Sequence, residues 1–481
     1  MNEKTKSGLF WRSLESVGVQ GMQFIIQLVL ARILMPADFG IVAILNIFVN
    51  LANTLVQNGL SSALIQKKNP EKEDFSTVFI VEFGLALLMY VIIFFGSPFI
   101  AAYYENQALI TYLRVFSLTI VISPIGSIQT TVLRCKLSFK PSFVANFIAI
   151  ITQGATGVAM ALLGFGVWSL IISQVIYRLV SALLLILFAK WVPKSGFYFE
   201  RFKKLFGYSW KLAVGWIIGT IYQDVFSFVI GKVYDESTLG YYSKGNSIPN
   251  VINRVVTQVT TAVMFPVISK VQDNSNVVKK QTREMIAISA ALIFPVMAFV
   301  AGAANPIVRL VLTDKWLPAV PIIQIFCISS GINVISNANM QSFNAIGRSD
   351  VFLITEVVKR SLTIILVIIL AQIDFYLMLI GIASMGIVSL IINCFFDKKL
   401  LDYKVSEYLT DLIPSILFGI VLFGAVYACN LFIPRLVIRL AVQMVIAVVL
   451  YIAVAQMKIV KPCTQVWGVV IGLIKRKKAN G

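Results

Sequence analysis

Long apolar stretches alternate along the chain with short segments that carry charged residues, glycine or proline. A helix needs about twenty largely apolar residues to cross a bilayer. Such stretches predict about fourteen transmembrane helices. The predicted spans are 13–34, 40–65, 75–96, 108–132, 142–163, 166–189, 206–231, 240–267, 285–304, 318–341, 351–371, 375–396, 411–430 and 436–457. Every connection is short, so no loop can hold a soluble catalytic domain.

Part of the pattern repeats at an offset of 200 residues without gaps, because residues 23–61 align with residues 223–261. The matched positions are Gln23 with Gln223, Arg32 with Lys232, Gly40 with Gly240, Asn46 with Asn246, Asn50 with Asn250 and Asn53 with Asn253. Chance readily aligns Val with Ile in two apolar helices, whereas three asparagines in register are much harder to obtain by chance. Because six spans separate equivalent positions, both halves have the same orientation in the membrane.

The repeat predicts an all-α polytopic membrane protein with two six-helix bundles, related by a pseudo-two-fold axis along the membrane normal, and two C-terminal helices. The predicted domains are an N-terminal bundle at 1–189, a cytoplasmic linker at 190–204, a C-terminal bundle at 205–400, two additional transmembrane helices at 401–457, and a basic cytoplasmic or interfacial tail at 458–481. The first apolar stretch is long and continues into a second, which favours a retained helix over a cleaved signal peptide.

The chain holds 41 Lys and Arg against 22 Asp and Glu, a formal net charge of +19. In a soluble protein this excess would suggest nucleic acid. Here the basic residues lie between apolar stretches, mostly in alternate loops, so no nucleic-acid partner is expected. The positive-inside rule places both termini in the cytoplasm.

The amino-acid composition and the absence of known motifs argue against most kinds of catalysis. Histidine is absent, and the five cysteines are scattered without metal or redox spacing. No Walker loop, HExxH motif or GxSxG elbow is present. We therefore expect no enzyme activity, no catalytic residue, no cofactor and no metal site.

Amide side chains form stripes on single helix faces. Asn46, Asn50, Asn53 and Gln57 are spaced 4, 3 and 4 residues apart, which places them on one face. Gln23 on the first helix and Gln223, Asn246, Asn250 and Asn253 in the second half belong to similar polar faces. A single buried amide usually binds one helix to another. The repeated stripes favour a hydrated cavity between the halves, with interhelical bonding as the alternative.

Charged residues within spans cost several kcal/mol unless they face water or a partner. Arg254 lies in mid-span beside Asn253, and its planar fork of donors suits a phosphate group. Lys244 and Lys211 are further cationic candidates for the same ligand.

The acids within spans leave alternatives open. Asp224, on the helix before Arg254, is the alternative partner of that arginine. Asp224 and Glu82 are also the candidates for ion coupling. Arg178 and Glu82 are a candidate pair between helices.

Five motifs resemble bacterial polysaccharide flippases of the multidrug/oligosaccharidyl-lipid/polysaccharide exporter superfamily. They are Gly8-Leu9-Phe10-Trp11-Arg12-Ser13, the turn Ala31-Arg32-Ile33-Leu34-Met35-Pro36-Ala37-Asp38-Phe39-Gly40, Gln57-Asn58-Gly59-Leu60, Leu239-Gly240-Tyr241-Tyr242 and Asn344-Ala345-Ile346-Gly347-Arg348. The resemblance covers about residues 8–455. These motifs mark the family and do not identify the sugar.

The resemblance implies twelve core helices plus two, in the bacterial cytoplasmic membrane. It implies that undecaprenyl-pyrophosphate-linked oligosaccharide is turned from the inner to the outer leaflet by alternating access, for capsule, exopolysaccharide or O-antigen (lipopolysaccharide) assembly. Cavity arginines of such flippases bind pyrophosphate, and Arg12 and Arg254 are the positions most similar to them. The expected partners are this lipid-linked glycan, the bilayer, and the polysaccharide polymerase and chain-length machinery.

Two other functions compete with this interpretation. A cation-coupled multidrug exporter of the same superfamily would need a cavity with unpaired acids and aromatic residues. A membrane glycan polymerase or ligase would need a catalytic dyad or an outer domain, and the short loops and the repeat argue against it.

Overall fold

A computed structural model describes residues 11, 14–57, 59–194 and 196–468, and these ranges contain helices and no strand. In chain order the helices are α1 Gln20–Ile33, α2 Pro36–Gln57, α3 Leu60–Gln66, α4 Lys72–Tyr103, α5 Ala108–Phe116, α6 Leu118–Cys135, α7 Lys140–Leu162, α8 Val167–Ala189, α9 Phe199–Val233, α10 Glu236–Ser269, α11 Ser275–Gly302, α12 Ala304–Val311, α13 Ala319–Ala345, α14 Ser349–Ala371, α15 Phe375–Leu401, α16 Val405–Phe432 and α17 Leu436–Gln456. A π-helical turn, Glu15–Val19, precedes α1, and a 3₁₀ turn, Asp314–Trp316, precedes α13.

Within the described ranges, twelve helical segments are long and apolar enough to cross a membrane. Helices α2 and α3 together form one of these segments, as do α5 and α6. The other two of the fourteen predicted spans correspond to α1, which has only 14 residues, and α14, which carries several charges. The prediction of an all-α, multi-pass membrane protein is confirmed.

The chain divides into two compact units, Met1–Gly240 and Tyr241–Gly481. In the first unit, small residues let helices approach closely, since Gly154 of α7 lies against Ile26 of α1 and Gly157 lies against Ser173 of α8. In the second unit, α11, α13 and α16 share an apolar core that includes Ile286. The domain boundaries predicted from the sequence stay predictions.

The two repeat-related turns have the same local structure. Helix α1 ends where the extended residue Leu34 donates its backbone N–H to Leu30 O at 2.9 Å. Helix α9 ends in the same way at Tyr234, whose N–H donates to Ile230 O at 2.9 Å. The repeat found in the sequence therefore extends to the hydrogen bonding of these turns.

Two repeat-related glycines make reciprocal contacts within the first unit. A Cβ atom on Gly40 would lie 1.8 Å from the carbonyl oxygen of Glu236, and one on Gly240 would lie 2.0 Å from that of Pro36. Each glycine thus lies against the first residue of the other helix. Only glycine allows the two backbones to come this close.

Polar contacts fix the start of α4, which carries Glu82. The Glu71 N–H donates to Asp74 Oδ2 at 2.8 Å and forms part of a capping box. Asp74 is almost fully buried and also binds Lys67 at 2.6 Å and Arg201 at 3.1 Å. These bonds connect the ends of α3, α4 and α9.

Candidate functional site

A polar cavity of about 380 Å³ lies inside the first unit. Its lining comes from the π-helical turn and from α2, α3, α6, α7 and α8. Most of the lining side chains are polar: Glu15, Gln57, Ser61, Ser62, Ser123, Ser127, Thr130, Thr131, Arg134, Asn146, Tyr177, Arg178 and Ser181. The volume falls in the range of ligand sites, roughly 300–1,000 Å³.

One wall of the cavity is a hydrogen-bonded network around Glu15. Glu15 Oε1 accepts from Ser142 Oγ at 2.7 Å and from Asn146 Nδ2 at 3.0 Å. The side-chain oxygen Oδ1 of Asn146 accepts from Ser181 Oγ at 2.8 Å. These bonds connect the π-helical turn to α7 and α8, and π-helical turns are frequent at functional sites.

Arg178 lines the same cavity from the middle of α8. It lies about 16 Å from either end of the helix at 1.5 Å per residue. Its side chain is exposed, and its Cζ atom lies 5.9 Å from the centroid of the Tyr177 ring. Arg178 forms no ion pair within the described part of its unit. A guanidinium in mid-span requires water or an anionic ligand, and the cavity can provide access to both.

Glu82 lies immediately behind the cavity wall and does not pair with Arg178. Its side chain is 0% exposed, and Oε1 accepts from Ser61 Oγ at 2.8 Å. Its Oε2 has no hydrogen-bond partner among the described residues. The suggested pair of Arg178 and Glu82 is therefore wrong, because Glu82 binds a cavity-lining serine instead.

The amide stripe of the first unit follows α2 and meets α9 at one point. Asn50 donates to the Asp224 carboxylate, whose Oδ2 is buried and has no partner in the described part of the chain. Further along α2, Gln57 Nε2 donates to Asn53 Oδ1 at 3.2 Å, and Gln57 also lines the cavity.

The other amides of this unit that were predicted to line a cavity are at least partly accessible. Asn46 is half-buried, while Gln23 on α1 and Gln223 on α9 are exposed. None of the three is buried in a dry helix contact. Their role in a hydrated cavity stays a prediction.

The second unit contains the matching stripe on α10. Asn250 Nδ2 donates to Asn246 Oδ1 at 2.9 Å, and Thr257 Oγ1 donates to Asn253 Oδ1 at 3.0 Å. The bond from Thr257 to Asn253 occupies the position that the bond from Gln57 to Asn53 has in α2. The shared helix face predicted for each set of amides is therefore present in the structure.

The predicted pyrophosphate ligands lie in different environments. Arg254 is exposed on α10 and forms no ion pair within the described part of its unit. Lys211 is exposed on α9, with Nζ 5.9 Å from the centroid of the Trp210 ring. Lys244 is half-buried on α10, and Arg12 lies outside the described residues. Binding of pyrophosphate by these four residues stays a prediction.

A buried polar network in the second unit was not predicted. Lys359 Nζ donates to Asn393 Oδ1 at 2.5 Å. One turn further along α15, Asp397 Oδ2 accepts from Asn339 at 2.6 Å and from Tyr408 at 2.7 Å. Asn393 and Asp397 are four residues apart, so their spacing on one helix face was an available signal.

The hydroxyl lining of the first cavity was also missed. Ser123, Ser127, Thr130 and Arg134 on α6 are spaced 4, 3 and 4 residues apart, the same spacing as the amide stripe on α2. All four line the cavity. The periodicity that identified the amides therefore also marks this face.

Long apolar helices around a polar, charged cavity define a multi-pass membrane transport protein. The chain belongs to the family described as polysaccharide biosynthesis protein, whose model matches residues 29–321.

Two curated relatives are named for related processes. The chain is 26% identical to the succinoglycan biosynthesis transport protein ExoT of Rhizobium meliloti (strain 1021) over 333 residues, which are 69% of this chain and 67% of that protein. It is 23% identical to the lipopolysaccharide biosynthesis protein WzxC of Escherichia coli (strain K12) over 345 residues, covering 70% and 69% of the two chains. These similarities agree with the family that the sequence motifs indicated.

The fold is similar to that of the lipid II flippase MurJ in an inward closed conformation, with a TM-score of 0.76. The alignment covers 93% of this chain and 98% of MurJ at 15% identity. At this identity the similarity shows a shared fold only.

Proposed function

We propose that this protein moves polyprenyl-pyrophosphate-linked oligosaccharide from the inner to the outer leaflet of the bacterial cytoplasmic membrane, for the assembly of a surface polysaccharide. The observation that carries the proposal is the cavity of hydroxyl, amide and guanidinium groups in the first unit, in a member of the polysaccharide biosynthesis family. The transport role named for the relative ExoT supports the same conclusion.

The physical reason is the cost of removing a glycan from water. Each sugar hydroxyl that enters hydrocarbon without a hydrogen bond costs several kcal/mol. Side chains such as Asn146 and Ser127 can replace water around these hydroxyls, while the polyprenyl chain stays in lipid. The protein then needs only to expose the polar site to one side of the membrane and afterwards to the other.

The charged residues have separate roles in this proposal. Arg254, Lys211, Lys244 and Arg12 bind the pyrophosphate, and the amides of the two stripes bind the glycan. Glu82 and Asp224 couple transport to an ion gradient, supported by a carboxylate oxygen in each that lacks a partner among the described residues. The chain catalyses no covalent step and has both termini in the cytoplasm.

A cation-coupled multidrug exporter is the main alternative, and the cavity argues against it. Among the residues that the structure describes, two arginines, Arg134 and Arg178, line the cavity together with one acid, Glu15. Because Glu15 accepts hydrogen bonds from Ser142 and Asn146, the cavity favours an anionic ligand over a cationic drug.

A binding comparison separates these two functions. The purified protein in lipid nanodiscs is titrated with undecaprenyl-pyrophosphate-linked glycan and, separately, with a cationic dye. We expect saturable binding of the lipid-linked glycan and no competition from the dye. Tight dye binding that the glycan lipid cannot displace would favour the drug exporter.

A further inference from the structure

The cavity in the first unit has a charge that matches a monoanion. Among the described residues, the charged ones that line it are Arg134, Arg178 and Glu15, which together carry one net positive charge. Two hydrogen bonds to Glu15 Oε1 hold that acid in the cavity wall. Arg178 is the cavity arginine that is exposed and forms no ion pair within the described part of its unit.

A guanidinium can bind a carboxylate through two parallel N–H···O bonds. A carboxylate carries one charge, which the net charge of this cavity can neutralise. A pyrophosphate carries more negative charge and would need more cations than the described part of this lining offers. The electrostatics therefore favour an anionic sugar over the lipid pyrophosphate at this position.

The remaining lining fits a sugar. Hydroxyl and amide side chains line the cavity together with Arg178 and Tyr177. Ser123 Oγ is buried and has no hydrogen-bond partner in the described part of the chain, although its side chain belongs to the lining. Because unpaired buried hydroxyls are unfavourable, a bound sugar hydroxyl would stabilise this position.

We propose that this cavity is a glycan subsite for an acidic sugar, with Arg178 binding the sugar carboxylate. The inference rests on the proposed function and adds to it the chemical class of one sugar in the transported glycan. It also assigns Arg178 a role in specificity, distinct from binding of the pyrophosphate.

The test measures how tightly each of three ligands binds to the full-length protein in nanodiscs. They are an undecaprenyl-pyrophosphate-linked glycan that contains a uronic acid, the same glycan lipid with that carboxylate reduced to an alcohol, and undecaprenyl pyrophosphate without a glycan. We expect the native protein to bind the acidic glycan lipid roughly tenfold to hundredfold more tightly than its reduced form. This comparison needs no variant.

Two variants then test whether Arg178 is the residue that distinguishes the acidic glycan lipid from its reduced form. Arg178→Gln should reduce the preference for the acidic glycan lipid to about onefold and leave the affinities for the other two ligands unchanged. Arg178→Lys should keep part of the preference, because it retains the charge and loses the planar fork. Arg114→Gln is the matched control, since Arg114 lies over the Phe94 ring at 4.2 Å and outside the cavity lining, and it should keep the full preference.

Each other outcome overturns the inference. Equal binding of the acidic and reduced glycan lipids by the native protein would remove the acidic-sugar subsite and leave the proposed function intact. An equal loss for all three ligands in Arg178→Gln would place Arg178 at the pyrophosphate. If neither glycan lipid binds to the native protein, the proposed function fails together with the inference.

Discussion

Glu82 and Asp224 share an arrangement that is costly in a membrane. Each has one carboxylate oxygen that accepts a hydrogen bond, Glu82 from Ser61 and Asp224 from Asn50. The other oxygen of each is buried without a partner among the described residues. A purely structural role would not require this cost, so we interpret both acids as functional.

The substitution Glu82→Gln tests ion coupling. Glutamine keeps the hydrogen bond from Ser61 and removes a buried ionisable group, so thermal stability should be unchanged or higher. Transport in proteoliposomes should lose its dependence on an imposed ion gradient. Glu200→Gln, at an exposed position near the start of α9, is the control. Undiminished gradient dependence in Glu82→Gln would exclude Glu82 from coupling.

The substitution Arg254→Ala tests the predicted pyrophosphate site. The side chain is exposed and unpaired within the described part of its unit, so its removal should not change the protein level in the membrane. Surface polysaccharide should be lost, as measured by immunoblotting of cell extracts. Arg309→Ala is the control, because Arg309 makes only an exposed ion pair with Asp314 at 3.4 Å. Normal surface polysaccharide in Arg254→Ala would remove this residue from the site.

At the scale of single residues, the sequence identified the charged positions within the spans but not the side chains that bind them. Glu82 binds Ser61, and Glu15 binds Ser142 and Asn146, which are distant in the sequence. Helical periodicity determines which residues share a face and gives no information about the helix that packs against it. For this reason the candidate pair of Arg178 and Glu82 was wrong.

At the level of helices and turns, the sequence repeat is the feature that corresponds most clearly to the structure. The turns that follow α1 and α9 have equivalent hydrogen bonds, and the polar stripes on α2 and α10 have equivalent side-chain bonds. Periodicity predicted both stripes correctly because amides are rare in membrane helices. The hydroxyl face of α6 gave a weaker signal, since Ser and Thr commonly bond to their own helix backbone.

The substitutions Gly40→Ala and Gly240→Ala test the reciprocal contact. An added Cβ would lie within 2.0 Å of a carbonyl oxygen at either position, so each helix start must move. We expect each substitution to destabilise the protein by about 1–3 kcal/mol in thermal unfolding. Gly84→Ala in α4, where a Cβ meets nothing within 4 Å, should be neutral or stabilising. Equal stability of all three variants would contradict the contact.

The substitutions Asn50→Leu and Asn250→Leu separate helix packing from a role in transport. Asn50→Leu removes the donor to Asp224 and should cost about 1–3 kcal/mol of unfolding free energy. Asn250→Leu removes only a bond to Asn246 on the same helix and should cost less. Both should reduce transport more than they reduce the folded fraction. A loss of transport that merely follows the loss of folded protein would make the stripes packing contacts.

At the scale of the molecule, the apolar stretches predicted the order of the helices, and twelve of the fourteen predicted spans match segments long and apolar enough to cross a membrane. They succeeded because a membrane helix must be apolar along about twenty residues whatever it packs against. The cavity in the first unit is lined by six segments, most of them far apart in the chain, so its volume and its hydrogen-bonded network could be found only from the structure. Two of the motifs that indicated the family, residues 31–40 and 239–242, lie at or beside the two repeat-related turns.

The account as a whole claims that this protein carries a lipid-linked glycan across a bilayer. The most direct measurement reconstitutes the purified protein in liposomes with fluorescently labelled undecaprenyl-pyrophosphate-linked glycan and follows the fraction of label that a membrane-impermeant quencher can reach. We predict that the protein increases the rate at which label from the inner leaflet becomes accessible, compared with liposomes without protein. An accessible fraction that stays at the outer-leaflet value over the same period would contradict the account.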